Sequence, residues 1–194
     1  MIFKAAIVFA LVALSSCTTQ PRTATRPRTT TKEFFDEQSA STLSVAAKPT
    51  VFARQRSDVA AHARDFATLV AIEVNNSGQD SEYLLLYRWS TADRRMSPLP
   101  EADQGALLIQ ADGRSIKLQP LDRLPVSLSR RRELLLPPHG DVVARAYRVD
   151  LELLRFLATS TEIVLRLPQE ALDTPFTLWE DGRKALGQFA GNGP

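Results

Sequence analysis

Beyond Lys32 the apolar residues recur at every second position, in short runs separated by turn formers, and that period commits the chain to strands. In Asp65–Val74, Phe66, Thr68, Val70, Ile72 and Val74 share one face. In Glu82–Trp89, Tyr83, Leu85, Tyr87 and Trp89 share one face, with Leu84 and Leu86 behind them. Two runs this apolar suit the central pair of a sheet. Between them, Asn75-Asn76-Ser77-Gly78-Gln79-Asp80-Ser81 supplies residues that tolerate the left-handed backbone of a hairpin connection. A second hairpin is marked by Asp112-Gly113, a preferred two-residue turn between Ala106–Ala111 and Arg114–Gln119. There Ile116 and Leu118 alternate with polar neighbours, so that strand turns one face to solvent.

The remaining runs fill out the same pattern. Leu43, Val45 and Ala47 alternate, Pro49 interrupts, and Val51 and Ala53 resume. Proline offers no amide hydrogen, so this reads as one interrupted edge strand, with Pro49 at an edge or a bulge. Val142–Val149, Ile163–Leu167 and Pro175–Asp181 read as three further strands. Asp150 can cap a short helix in which Leu151, Leu154 and Leu157 recur at helical spacing. A weakly amphipathic stretch ending at Phe189 allows a helix at the C-terminal end. The expectation is a mainly β fold: a β-sandwich of about eight strands, with one short inserted helix, and a closed barrel as the alternative that periodicity alone leaves open.

The N-terminus obeys another rule. Lys4 is followed by Ala5–Leu14 without a polar side chain, the pattern of a secretory signal peptide. That run is well short of the ~20 residues that span a bilayer as a helix. It ends in Leu14-Ser15-Ser16-Cys17, which contains the chain's single cysteine. These four residues resemble the lipobox of bacterial lipoproteins. The resemblance implies cleavage after residue 16, with acyl chains on Cys17 as the membrane anchor. Each buried CH₂ of such chains contributes roughly 0.8 kcal/mol, and stable anchoring takes more than one chain. Thr18 in place of Asp after the cysteine implies, by the same resemblance, the outer membrane; the expected side is the periplasmic one. Residues 17–40 then read as the lipidated cysteine and a flexible basic Thr/Pro/Arg tether, and 41–194 as one β domain. A segment of some 20 such residues has a typical reach of ~25 Å.

Separating tether from body changes the meaning of the charge. The chain has 24 basic and 22 acidic residues, but Lys4, Arg22, Arg26, Arg28 and Lys32 precede Glu33 and leave the body, taken from Glu33 onward, 19 against 22. The acidic balance of the body removes the electrostatic reason to propose a nucleic acid partner.

Candidates for chemistry are few. His62 lies three residues before Asp65, the spacing of a base with an orienting carboxylate, and equally of a polar loop with a local ion pair. His139 sits among turn formers in Pro137-Pro138-His139-Gly140. Neither has the partners of a metal site, and no cofactor motif is present. Arg94-Arg95 and Arg130-Arg131-Arg132 are the candidate binding surface, since forked guanidinium groups hold carboxylate or phosphate. Trp89 and Trp179 suit either a partner surface or the core. The segment Phe52–Arg95 also resembles envelope lipoproteins of Gram-negative proteobacteria to which no activity is assigned. The expected function is a lipid-anchored, non-catalytic binding or assembly module for an envelope protein. The alternatives are a module for an anionic envelope polymer or lipid, and a hydrolase using His62 or His139.

Overall fold

The turns that the sequence marks set the strand register. In a computed structural model, which describes residues 31–91, 105–130, 143–167 and 174–191, Ser77 and Gly78 have φ of 52° and 86°, and Asp112 and Gly113 have 44° and 80°. Positive φ at both central residues defines the hairpin turn whose twist matches the flanking strands. Asn76 therefore faces Gln79 and Ala111 faces Arg114, and every later pair in those hairpins follows.

Ten strands are present among the described residues: β1 (Thr31–Asp36), β2 (Ser41–Ala46), β3 (Thr50–Gln55), β4 (Arg64–Asn76), β5 (Gln79–Ser90), β6 (Leu107–Ala111), β7 (Arg114–Leu118), β8 (Val143–Val149), β9 (Ile163–Arg166) and β10 (Phe176–Glu180). The helices are α1 (Val126–Arg130), α2 (Leu151–Thr159) and α3 (Arg183–Phe189). The mainly β architecture is the expected one. The ten strands, against the expected eight or so, are all linked in one antiparallel sheet.

The sheet is single because β4 is long enough to take two partners on one edge. β2 lies opposite Ile72–Asn76 and β3 opposite Arg64–Leu69, while β5 pairs with Asp65–Asn76 along the other edge. Between β2 and β3 the chain makes an excursion at Pro49, and the sheet forks there. One branch continues from β2 to β1, and the other runs from β3 through β10, β9 and β6 to β7. The expected interrupted edge strand is therefore two internal strands. Pro49 sits in the break between them, outside both ladders, where no ladder bond is needed from it. The third branch, β5 to β8, ends beside the second, because an isolated bridge joins Pro120 to Tyr147 and Leu121 N donates to Ala146 O at 2.8 Å.

The curl leaves an inner face lined by Phe52, Leu69, Leu84, Leu86, Ile109, Leu165 and Phe176, all buried. Two helices fill its opening. Asp150 accepts a hydrogen bond from Leu153 N at 2.7 Å and so caps α2, as expected, which sends Leu154 and Leu157 inward. The expected C-terminal helix is α3, whose Phe189 is fully buried against the same cluster. The short helix α1, which no periodicity announced, drops Leu128 onto a second cluster on the outer face with Val70, Ile72, Leu85 and Tyr87. β4 and β5 are thus apolar on both faces because both faces are covered. No described helix is long and apolar enough to cross a membrane.

One boundary moves. β1 begins at Thr31, inside the expected 17–40 tether, and pairs along its full length with β2 from Thr31 opposite Ala46 to Asp36 opposite Ser41. Its Phe34 packs on the outer cluster. The described fold therefore reaches back at least ten residues before Ser41. Residues 1–30, including the expected signal, Cys17 and the rest of the expected tether, lie outside the described residues.

Candidate functional site

The β3–β4 register sets Arg54 directly opposite Asp65 on the inner face, at the end of the sheet away from β2. Both are buried, with side chains 5% and 2% exposed. Such a pair is tolerated only with its hydrogen bonds made. Arg54 donates to Asp65 Oδ2 from Nε at 3.2 Å and from Nη2 at 2.8 Å, Arg56 Nη1 donates to the same oxygen at 3.1 Å, and Ser90 Oγ donates to Oδ1 at 2.8 Å. Burial pushes the Asp65 carboxyl up, but the donors Arg54, Ser90 and Arg56 together hold it below the ordinary carboxylate range. Arg54 also lies over the Phe176 ring, 4.4 Å from its centroid. This cluster ties β3, β4, β5 and β10 together.

On the opposite face of the same strands lies an aromatic surface. The Ser77-Gly78 turn sets Phe66 opposite Trp89, and their rings stack 4.0 Å apart and 9° from parallel. Val51 and Ala53 complete the cluster beneath them. A register shift between Leu178 and Glu180 places Trp179 in a bulge, the device by which an edge or rim re-aims a side chain. Trp179 meets Phe66 edge to face at 6.1 Å, carries the Arg64 guanidinium 4.9 Å from its ring centroid, and is 53% exposed. Trp89 fills space in the cluster, and Trp179 presents itself to solvent.

The sequence candidates fall out differently. His62 is exposed in the turn between β3 and β4, and Asp65, its expected carboxylate partner, faces inward onto Arg54, Arg56 and Ser90. The polar-loop reading fits His62, and the base-and-carboxylate pairing does not form. Cys17, Arg94, Arg95, Arg131, Arg132 and His139 lie outside the described residues. Arg130 is the last residue of α1, and its side chain is also outside them. Among the described residues, no group of three His, Cys, Asp or Glu side chains is placed to hold a metal ion. A cavity of about 20 Å³ between the inner face and α3, lined by Phe52, Leu69, Leu84, Ile109, Leu157 and Leu186, has room for a water-sized guest.

Two features were missed at the level of sequence. Arg54 and Asp65 occupy core-facing positions in alternating strands, the signal that a buried ion pair leaves in a pattern of period two. Arg64 and Trp179 come together only through tertiary packing of β4 beside β3 and β10. No protein-family model, no curated protein and no solved structure matches the chain.

Proposed function

We propose that the chain is a lipoprotein, held in the outer membrane by acyl chains on Cys17 and facing the periplasm, whose folded part binds an envelope protein without catalysing a reaction. The observation that carries the binding half is the Trp179 and Arg64 surface. Trp and Arg are the side chains that dominate the energetics of protein interfaces, and here both stand on a rigid stack of Phe66 and Trp89. A bulge that turns a large aromatic outward, 53% exposed, beside Phe66 and Trp89 that stay in the cluster is a costly arrangement for folding alone.

Trp179→Ala tests it. Truncation of a central interface anchor costs at least about 2 kcal/mol of binding, roughly thirtyfold in affinity. Recovery of the partner from envelope extracts should fall by that order, while the melting transition stays close to the parent's, because the side chain is half exposed. Unchanged recovery would remove the surface from the account.

The anchoring half rests on Leu14-Ser15-Ser16-Cys17 and has its own test. With Cys17→Ser the acyl chains have no thiol to join, and the protein should leave the membrane fraction for the soluble one. Retention in membranes after a salt wash would show that something other than lipid holds it.

A further inference from the structure

A guanidinium drawn partly out of water loses hydration, and an acid beside it makes up the loss. Arg54 and Arg56 share Asp65, Arg56 also holds Asp58, and Arg183 holds Asp181. Arg64 departs from this pattern. Its side chain is half-buried and lies over Trp179, yet it meets no carboxylate among the described residues, and Asp65, its neighbour in the chain, faces inward onto other donors. We infer that Arg64 receives a carboxylate from the partner protein, on an Asp or Glu side chain flanked by apolar residues that lie on Trp179. The inference deepens the reading of the Trp179 surface as a protein contact and rests on it.

The setting of Arg64 specifies the chemistry. Its main chain is clamped, because Arg64 N donates to Thr91 Oγ1 at 2.9 Å and Thr91 N donates to Arg64 O at 2.9 Å. The side chain therefore leaves a fixed point. Trp179, which it covers, is braced edge to face by Phe66. A ring face attracts the cation and offers no lone pair to its N–H donors, so the fork that matches a carboxylate stays available. Opposite Arg64 on β3 is Gln55, which carries no charge to compete for it. A phosphate-rich polymer or lipid surface is held by several cations acting together. Here the neighbouring Arg54 and Arg56 already have acids, and one cation beside exposed indole suits one side-chain carboxylate in an apolar surround.

The test selects binders to the protein, expressed as the full chain, from a displayed library of random linear peptides. Those whose binding is lost in Trp179→Ala should carry Asp or Glu beside an apolar residue. In synthetic copies, replacing that acid by Asn or Gln should weaken binding to the parent roughly tenfold or more. The same replacement should change binding to Arg64→Met little, a coupling that a merely structural role for Arg64 would not produce. Arg64→Met keeps the bonds to Thr91, which Arg64 makes through its main chain. Arg64→Lys keeps the charge without the fork and should recover only part of the affinity. Trp179-dependent peptides that lack an acid, or an acid preference that persists in Arg64→Met, would overturn the inference and leave the Trp179 surface in place. Failure to select any Trp179-dependent peptide would remove both. Displacement of the peptides by inorganic phosphate and not by acetate, at equal ionic strength, would assign the fork to phosphate and overturn the inference.

Discussion

Asp65→Ala is expected to cost about 3–5 kcal/mol of stability, among the largest single effects in the chain. The carboxylate is 2% exposed and is shared by Arg54 and Arg56, so its removal takes from a buried guanidinium the counter-charge that made burial tolerable. Ser90 loses the shorter of its bonds, to Oδ1 at 2.8 Å, and keeps Arg64 O at 3.3 Å. The pair itself is not a net source of stability on this scale. Two charges out of water lose nearly as much hydration as they gain in attraction, and the damage comes from breaking the pair. Asp65→Leu combined with Arg54→Met should therefore be less damaging than either change alone, and urea unfolding of the four proteins measures the difference. A near-additive double variant would contradict the account of this cluster.

The same carboxylate predicts acid behaviour. Because its folded pKa lies below the unfolded value of about 3.9, its contribution is complete above that value and is lost as pH falls through the folded one. The melting temperature should hold from neutrality to about pH 5 and fall below about pH 4. Asp65→Asn should start less stable and show a shallower acid slope.

Gly182→Ala is the second large effect, and its cause is steric. Gly182 precedes α3 with φ of −107°, a conformation any residue can adopt, so backbone freedom is not the issue. A methyl group there would overlap the Pro49 carbonyl and stand 2.8 Å from Thr50 N. These are main-chain atoms at the fork of the sheet, and they cannot rotate away. Relief requires α3 to lift, which withdraws Leu186 and Phe189 from the inner cluster. Overpacking of this kind costs about 1–3 kcal/mol where the surroundings yield, and more against fixed backbone. Thermal melting should show a drop on the upper side of that range, and Gly113→Ala serves as the contrast. At Gly113 an added methyl meets nothing within 4 Å, and only the positive φ of 80° opposes it. Equal losses at the two glycines would contradict the steric argument.

How much of this was legible in the sequence follows the range of the interactions involved. Ser77-Gly78 and Asp112-Gly113 are local signals with a mechanism, and each fixes a whole hairpin. Once Asn76 faces Gln79, counting outward places Phe66 against Trp89 without further information. Asp150 and the spacing of Leu154 and Leu157 located α2 for the same reason. β1 was missed because Phe34 and Phe35 are adjacent and do not alternate, so the strand exists only through its pairing with β2. The fork at Pro49 shows the limit from the other side. Proline announced a break, but its two-sided pairing depends on β10, more than a hundred residues later. In the candidate site, proximity in sequence pointed from His62 to Asp65, while the fold delivers Arg54, Arg56 and Ser90 to that carboxylate by strand register. The exposed role of Trp179 needed the bulge in β10, which no local residue pattern encodes.

The most direct measurement is photo-crosslinking in living cells, with a benzoyl-phenylalanine in place of Trp179 in the full chain. The account predicts one discrete adduct with an envelope protein, recovered with the outer membrane and lost when Cys17→Ser releases the chain from it. No adduct at this position, or an adduct whose formation and location are indifferent to Cys17, would contradict it.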